Sequence, residues 1–157
     1  MANNGTGNFS TNPNAVAVCT ETLGSGFIAV NRGVSGSTTR SWVGSGGLPG
    51  TVTAFQNNNV DIISIMLGSN DANGNFQISS GEYKSNLQVI IDTLKAGGIR
   101  QVILQNPIYR DITDTGYKQR LIDYQTSITE LVAENGGYVL QGGTGAYGYF
   151  KTNTNEL

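Results

Sequence analysis

Asn70 is the residue in this sequence whose type and place are best suited to chemistry. It lies in the polar tip of the stretch Asp61-Ile-Ile-Ser-Ile-Met-Leu-Gly-Ser-Asn-Asp71, an apolar run that stops at Gly68. A run this short, rich in isoleucine and bounded by turn residues, predicts a strand buried on both faces. Ligands of parallel α/β sheets collect at the carboxyl ends of such strands. An amide NH2 fixed there can donate to an oxyanion as negative charge develops on it. Gly, Ser, Asn and Asp are also the ordinary residues of turns, so the stretch by itself reads equally well as one. A second candidate, Gly33-Val-Ser-Gly36-Ser-Thr-Thr39, follows the apolar run Phe27-Ile-Ala-Val-Asn31. A glycine at a strand end lets the backbone approach a ligand closely.

What the sequence lacks narrows the chemistry. It contains no histidine, which removes zinc-hydrolase motifs and the commonest general base for a serine or cysteine nucleophile. No metal site and no cofactor are expected. The single cysteine excludes an internal disulfide; Cys19 shares one helical face with Val16 and Leu23 and reads as a buried thiol. A net charge of −2 without any lysine or arginine run leaves no nucleic-acid footprint. No apolar segment is long enough to span a bilayer, so no membrane partner is expected. The start, Met-Ala-Asn-Asn-Gly, has neither the basic region nor the apolar stretch of a signal peptide. A secreted or phage-associated setting suits the composition as well as any other.

The elements that must position these residues follow from periodicity. At 157 residues a single domain over 1–157 is expected, with 1–12 and 141–157 irregular. Only 13% of residues are charged and 38% hydrophobic, with 22 glycines; clustered apolar residues then imply long hydrogen-bonding loops on a modest core, not disorder. Pro13 to Leu23 predicts a helix ended by Gly24. Residues 27–31 predict a strand, followed by the Gly/Ser/Thr segment, Trp42 and a loose Gly44–Gly50 loop. Pro49 to Gln56 predicts a short helix before the strand at 60–67, and Asn73-Gly74 a turn beyond it.

Ser79 and Glu82 fit a capping box. Tyr83, Leu87, Ile90, Ile91 and Leu94 then form an apolar stripe that Gly97-Gly98 ends, predicting a helix near 80–97. A strand at 101–105 stops at Asn106-Pro107. Tyr117, Leu121, Tyr124, Ile128, Leu131 and Val132 mark a second long helix near 115–135, and Tyr138-Val-Leu140 a last strand. Ile28, Val30, Ile63, Ile65, Leu87, Ile91, Leu94, Val102, Leu104, Leu121, Ile128 and Leu131 should form the core. Strands alternating with helices imply an α/β three-layer sandwich around a parallel, doubly wound, flavodoxin-like sheet.

Taken together, Asn31-Arg-Gly-Val-Ser-Gly-Ser-Thr-Thr39 and Leu67-Gly-Ser-Asn-Asp71, at successive strand ends and followed by the Tyr83–Leu94 helix, resemble two blocks of the SGNH (GDSL-type) esterase and lipase family. The resemblance runs from about Pro13 to Tyr149. It implies that Gly36 offers its backbone N–H, and Asn70 its side-chain amide, to the oxyanion of an ester under attack, with Ser37 and Asp71 beside the substrate. It also implies a Gly-Asp-Ser nucleophile block before the Pro13 helix and an Asp-x-x-His block after Tyr147–Phe150. Neither is present. Ser10 has no Gly-Asp before it, so the sequence reads as the interior of such a domain with its edges removed and the sheet incomplete at the nucleophile strand.

Two functions are consistent with these residues. One is the core of an ester hydrolase, weakly active or inactive as it stands, whose ligand would be a small ester or an acylated carbohydrate; the polar loops and the loop tyrosines Tyr109, Tyr147 and Tyr149 suit a carbohydrate ester better than a long acyl chain. The other is a non-catalytic glycan- or protein-binding module on the same fold. In that family the nucleophile strand lies between those matching 27–31 and 60–67. Its absence should be met by direct pairing of the two, by Met1–Asn12 filling the gap, or by a strand from a complementing chain or homo-oligomer. Gly143-Thr-Gly145-Ala-Tyr-Gly148 has the spacing of a dinucleotide loop, but no helical pattern follows it.

Overall fold

A computed structural model describes residues 30–44, 47–108, 113–135 and 138–140. The elements in chain order are α1 (Thr39–Gly44), α2 (Gly47–Asn57), β1 (Ile62–Ile65), α3 (Ser80–Ala96), β2 (Gln101–Gln105), α4 (Thr115–Asn135) and β3 (Tyr138–Leu140). The three strands form one parallel sheet in the order β1-β2-β3. Fold class is therefore α/β with a parallel sheet, three-stranded among the described residues, as the alternation of patterns implies. No helix among the described residues is long and apolar enough to cross a membrane.

Register explains which strand residues are buried. Ile63 lies beside Val102 and Ile65 beside Leu104, so these four share a face, and Ile65, Val102 and Leu104 belong to the core with Ile91, Leu94 and Leu131. The alternate residues face the other way. Ile62 is 59% and Met66 46% exposed, which corrects the expectation of a strand buried on both faces. The reason is that the described helices gather on one side of the sheet. The pairing expected of 27–31 falls mostly outside the described residues; its described end, Val30 and Asn31, is not in a strand. The Pro13–Leu23 helix, Cys19, Ile28 and the segments 1–12 and 141–157 also lie outside them.

Helix α3 forms for the local reasons its sequence gives. Ser79 is the N-cap and accepts the Glu82 N–H. The reciprocal half of the capping box gives way, because the Glu82 carboxylate turns to Arg40. At the other end Ile99 N–H reaches Leu94 O and Gly98 N–H reaches Lys95 O, a Schellman ending that buries Ile99 against the stripe. Tyr83, Leu87, Ile90, Ile91 and Leu94 are all buried, each stabilising by roughly 1.5–3 kcal/mol. Lys84 ties α3 to α4 through Glu130 and Glu134.

The Gly44–Gly50 loop is shorter than expected. Thr39–Gly44 is helical, and α2 begins at Gly47 with Pro49 in its first turn, where a missing N–H costs nothing. Leu48, Thr51 and Phe55 are buried at helical spacing, and this burial outweighs the glycines.

The segment between β1 and α3 is held from below by tyrosines and an arginine. The Tyr83 and Tyr124 rings stack with centroids 4.0 Å apart. Tyr83 donates its hydroxyl to Leu67 O at 2.8 Å and Tyr124 to Ile78 O at 2.5 Å. Arg120 Nε donates to Ala72 O at 2.8 Å. At Gly68, φ is +130° and a Cβ would lie 2.9 Å from Pro107 and 3.1 Å from the Tyr83 hydroxyl. Both the conformation and the space therefore require glycine. Gly68→Ala is expected to lower stability by on the order of 2–4 kcal/mol, through backbone strain and overpacking. The midpoint of urea unfolding measures it; a loss under about 1 kcal/mol would show that Pro107 and Tyr83 give way freely.

Candidate functional site

Val34 to Ser37 form a β-turn closed by Ser37 N–H to Val34 O at 3.2 Å. Its third residue, Gly36, has φ +79°, the value a type II turn demands at that place and that a residue with a Cβ adopts only under strain. Nothing lies within 4 Å of where a Gly36 Cβ would be. Glycine is thus required here by backbone conformation, not by crowding. Gly36 is exposed, and its N–H donates to no described residue.

Asn70 sits in the turn after β1, at the carboxyl end of the sheet. Ala72 N–H to Gly68 O (2.9 Å) and Asn73 N–H to Asn70 O (3.0 Å) hold that turn. Asn70 Nδ2 donates to Ser37 O at 2.9 Å. One of its two amide protons is thereby spent on the neighbour of Gly36, and the amide plane is fixed. The structure therefore brings the turn of Gly36 and the side chain of Asn70 into direct contact across 33 residues of sequence. Ser37 is half-buried, and its hydroxyl donates back to Val34 O at 2.7 Å inside the turn.

Asp71, expected beside the substrate, carries its side chain inward. It is completely buried. Its Oδ1 accepts Thr39 N–H at 2.8 Å and the Thr39 hydroxyl at 2.5 Å. Its Oδ2 is buried with no partner among the described residues, as is Asn106 Oδ1 at the end of β2. Asn86 of α3 donates to Thr39 Oγ1 at 3.2 Å. Arg40 forms a two-pronged pair with Glu82 at 2.6 and 2.8 Å.

Thr39, Arg40 and Asn86 were not singled out by sequence. Two signals bore on them: the Ser/Thr run just past Gly36, which suits a helix start, and the i, i+4 spacing of Glu82 and Asn86 along one side of α3. Tyr109 lies outside the described residues, as do Tyr147 and Tyr149. A cavity of about 110 Å³, open to solvent and lined by Ile91, Arg100, Val102 and Leu131 among others, contains none of these groups.

Electrostatics divide the acids. Burial pushes the Asp71 carboxyl above its ordinary pKa, against the opposing hydrogen bonds from Thr39. Hydrogen bonding to Arg40 holds Glu82 below its ordinary value. Burial also raises the Tyr83 and Tyr124 hydroxyls, with the nearby Asp71 charge adding to it, so both remain neutral donors.

Residues 2–154 match the profile of the GDSL-like Lipase/Acylhydrolase family. One solved crystal structure is similar with a TM-score of 0.64 at 18% identity, covering 80% of this chain and 67% of that one. Protein YXIM_BACsu from Bacillus subtilis is similar with a TM-score of 0.56 at 25% identity; the match covers 74% of this chain but only 33% of that protein. No curated protein matches the sequence.

The opposed shifts predict a two-part pH dependence. Asp71 has a raised folded pKa, so its contribution is fully present below its unfolded pKa and is lost as pH rises through the folded value. Glu82 has a lowered folded pKa, so its contribution is present above its unfolded pKa and lost as pH falls through the folded value. Lowering pH from 7 towards about 4 should therefore raise the Asp71 contribution, and Asp71→Asn should flatten that rise. Below that range Glu82→Gln should flatten a small, salt-screened fall. Urea midpoints across pH measure both. An Asp71→Asn protein that keeps the wild-type slope above about pH 4 would remove Asp71 as its source.

Proposed function

The chain belongs to the GDSL-like lipase/acylhydrolase family, and from that premise we propose that Gly36 and Asn70 form the oxyanion-binding part of an ester hydrolase. The observation that carries the reading is the 2.9 Å bond from Asn70 Nδ2 to Ser37 O. It ties the Asn70 amide to the residue that follows Gly36, and one N–H of Asn70 and that of Gly36 have no partner among the described residues. In ester cleavage a serine oxygen attacks the carbonyl carbon, and the carbonyl oxygen becomes an anion. Two fixed N–H donors stabilise that anion more than the uncharged carbonyl, and losing one such donor typically costs on the order of 10²–10³ in rate. The substrate class is a short-chain or carbohydrate ester. A rigid turn pinned by Tyr83, Tyr124 and Arg120 suits the purpose, because donors fixed beforehand need no reorganisation during reaction.

Proton transfer is a separate matter. With no histidine in the sequence, no imidazole of this chain can take the serine proton, and loss of a triad member in serine hydrolases costs orders of magnitude. We therefore expect these 157 residues to bind an oxyanion but to turn over esters slowly or not at all. In a titration of the ¹⁵N-labelled chain with methylphosphonate, a tetrahedral anion, the Gly36 N–H and Asn70 side-chain signals should move together. Turnover of p-nitrophenyl acetate should stay far below the ~1–10³ s⁻¹ of ordinary enzymes. Signals that ignore the anion would sink the oxyanion reading. Ordinary turnover abolished by Ser10→Ala would show that the nucleophile and its base lie within this sequence.

We also propose that the outer edge of β1 takes a strand from a second chain. Among the described residues β1 pairs only with β2. Its Ile-Ile-Ser-Ile carries no charge or proline to discourage pairing. Light scattering should report a mass above that of the 16.6 kDa monomer. A cooperatively melting monomer at all concentrations would reject this assembly.

A further inference from the structure

We propose that Thr39 and Asp71 are positioning residues, forming a latch that holds the Gly36 turn against Asn70. The role assigned to the two donors rests on the oxyanion reading above; the latch itself rests on the contacts alone. Two segments meet here, 37–39 and 70–71, and they are joined by bonds of opposite polarity. Asn70 Nδ2 donates to Ser37 O at 2.9 Å, while Thr39 N–H donates back to Asp71 Oδ1 at 2.8 Å. The donors and acceptors are adjacent or nearly so along each segment, so neither bond can form in another register without breaking its companion.

The latch is dry. Thr39 and Asp71 both have zero exposure, so no water competes for the carboxylate, and a buried acceptor that loses its donor is left unsatisfied. The threonine hydroxyl is fixed on both sides, donating to Asp71 and accepting from Asn86 of α3. Arg40, the next residue, is clamped to Glu82 one turn before Asn86. Helix α3 thus reaches the Gly36 turn through Thr39, and its position is transmitted to the amide plane of Asn70. A carboxylate that only capped the six-residue α1 would steady that helix without affecting Asn70. The two roles therefore differ in what Asn70 reports.

Thr39→Val removes the hydroxyl and keeps shape and N–H; Thr39→Ser restores the hydroxyl. In the ¹⁵N-labelled chain, Thr39→Val should move the two Asn70 side-chain proton signals towards those of a free amide. It should also speed exchange of the Ser37 and Thr39 N–H groups by on the order of tenfold, with the amides of α3 and α4 unchanged. Thr39→Ser should return both readouts to wild type. Methylphosphonate should bind Thr39→Val on the order of tenfold more weakly. Unmoved Asn70 signals, or exchange that speeds equally throughout α3 and α4, would overturn the latch. If Thr39→Val does not fold, Asn86→Ala removes the bond to Thr39 Oγ1 together with the Asn86 hydrogen bond to Glu82, Glu82→Gln serves as the control for the latter, and the same readouts then support or overturn the latch in the same way. Asn70 signals that respond to Thr39→Val in a chain that ignores methylphosphonate keep the latch and reject the oxyanion site.

Discussion

The carboxylate of Asp71 lies at zero exposure, with Oδ1 receiving both the N–H and the hydroxyl of Thr39. Removing an ionised group from water is costly unless hydrogen bonds replace those it loses. Here the replacements come from a segment 32 residues earlier in the chain, so the charge can be buried only if that segment arrives in one place. Burial still wins enough of the contest to raise the carboxyl's pKa, and Oδ2 remains unpartnered among the described residues. Such a group is satisfied by a narrow set of geometries, which suits a place where two loops must meet in a fixed relation.

Around this contact, each neighbouring element contributes one constraint. Gly68 turns the chain out of β1 at a φ that excludes other residues, and Pro107 with Tyr83 fills the space a side chain would need. The stacked Tyr83 and Tyr124 put hydroxyls on Leu67 O and Ile78 O, at the two ends of the loop carrying Asn70. Both hydroxyls are neutral at ordinary pH, and burial disfavours their ionisation further. Apolar packing of α3 and α4 thus serves the loop indirectly: it sets the rings, and the rings set the backbone.

The sheet shows the opposite situation. One face is covered by helices, while Ile62 and Met66 on the other are largely exposed. A parallel sheet normally buries both faces, because strands joined by helical crossovers acquire helices on each side. The open face and the unpaired edge of β1 among the described residues are the same constraint seen from two directions, and they motivate the proposed strand partner.

How much of this was legible in sequence depended on the range of the interactions. Ser79 with Glu82, the Tyr83–Leu94 stripe and Gly97-Gly98 specify α3 within one stretch of chain, so its start, face and end could be read directly. The same holds for α4, for β2 and for the family blocks around Gly36 and Asn70. Local signals failed where burial overrode them. The glycines of 44–50 suggested a loose loop, yet Leu48, Thr51 and Phe55 made most of it helix by packing inward. Alternation within β1 was hidden because Ile62, Ile63 and Ile65 look alike, and only the one-sided helices distinguish them.

Asp71 is the clearest case. By position it was expected beside a substrate, and nothing in Gly-Ser-Asn-Asp states that a threonine 32 residues away will meet it. Sequence by itself determined the order of the elements from α2 to β3 and the parallel α/β class, since each is written in short-range spacing and turn chemistry. Only the tertiary structure decided which polar groups are buried and what each one bonds to. A hydrogen bond between distant segments leaves no period in the chain; it exists only once packing has brought its donor and acceptor together.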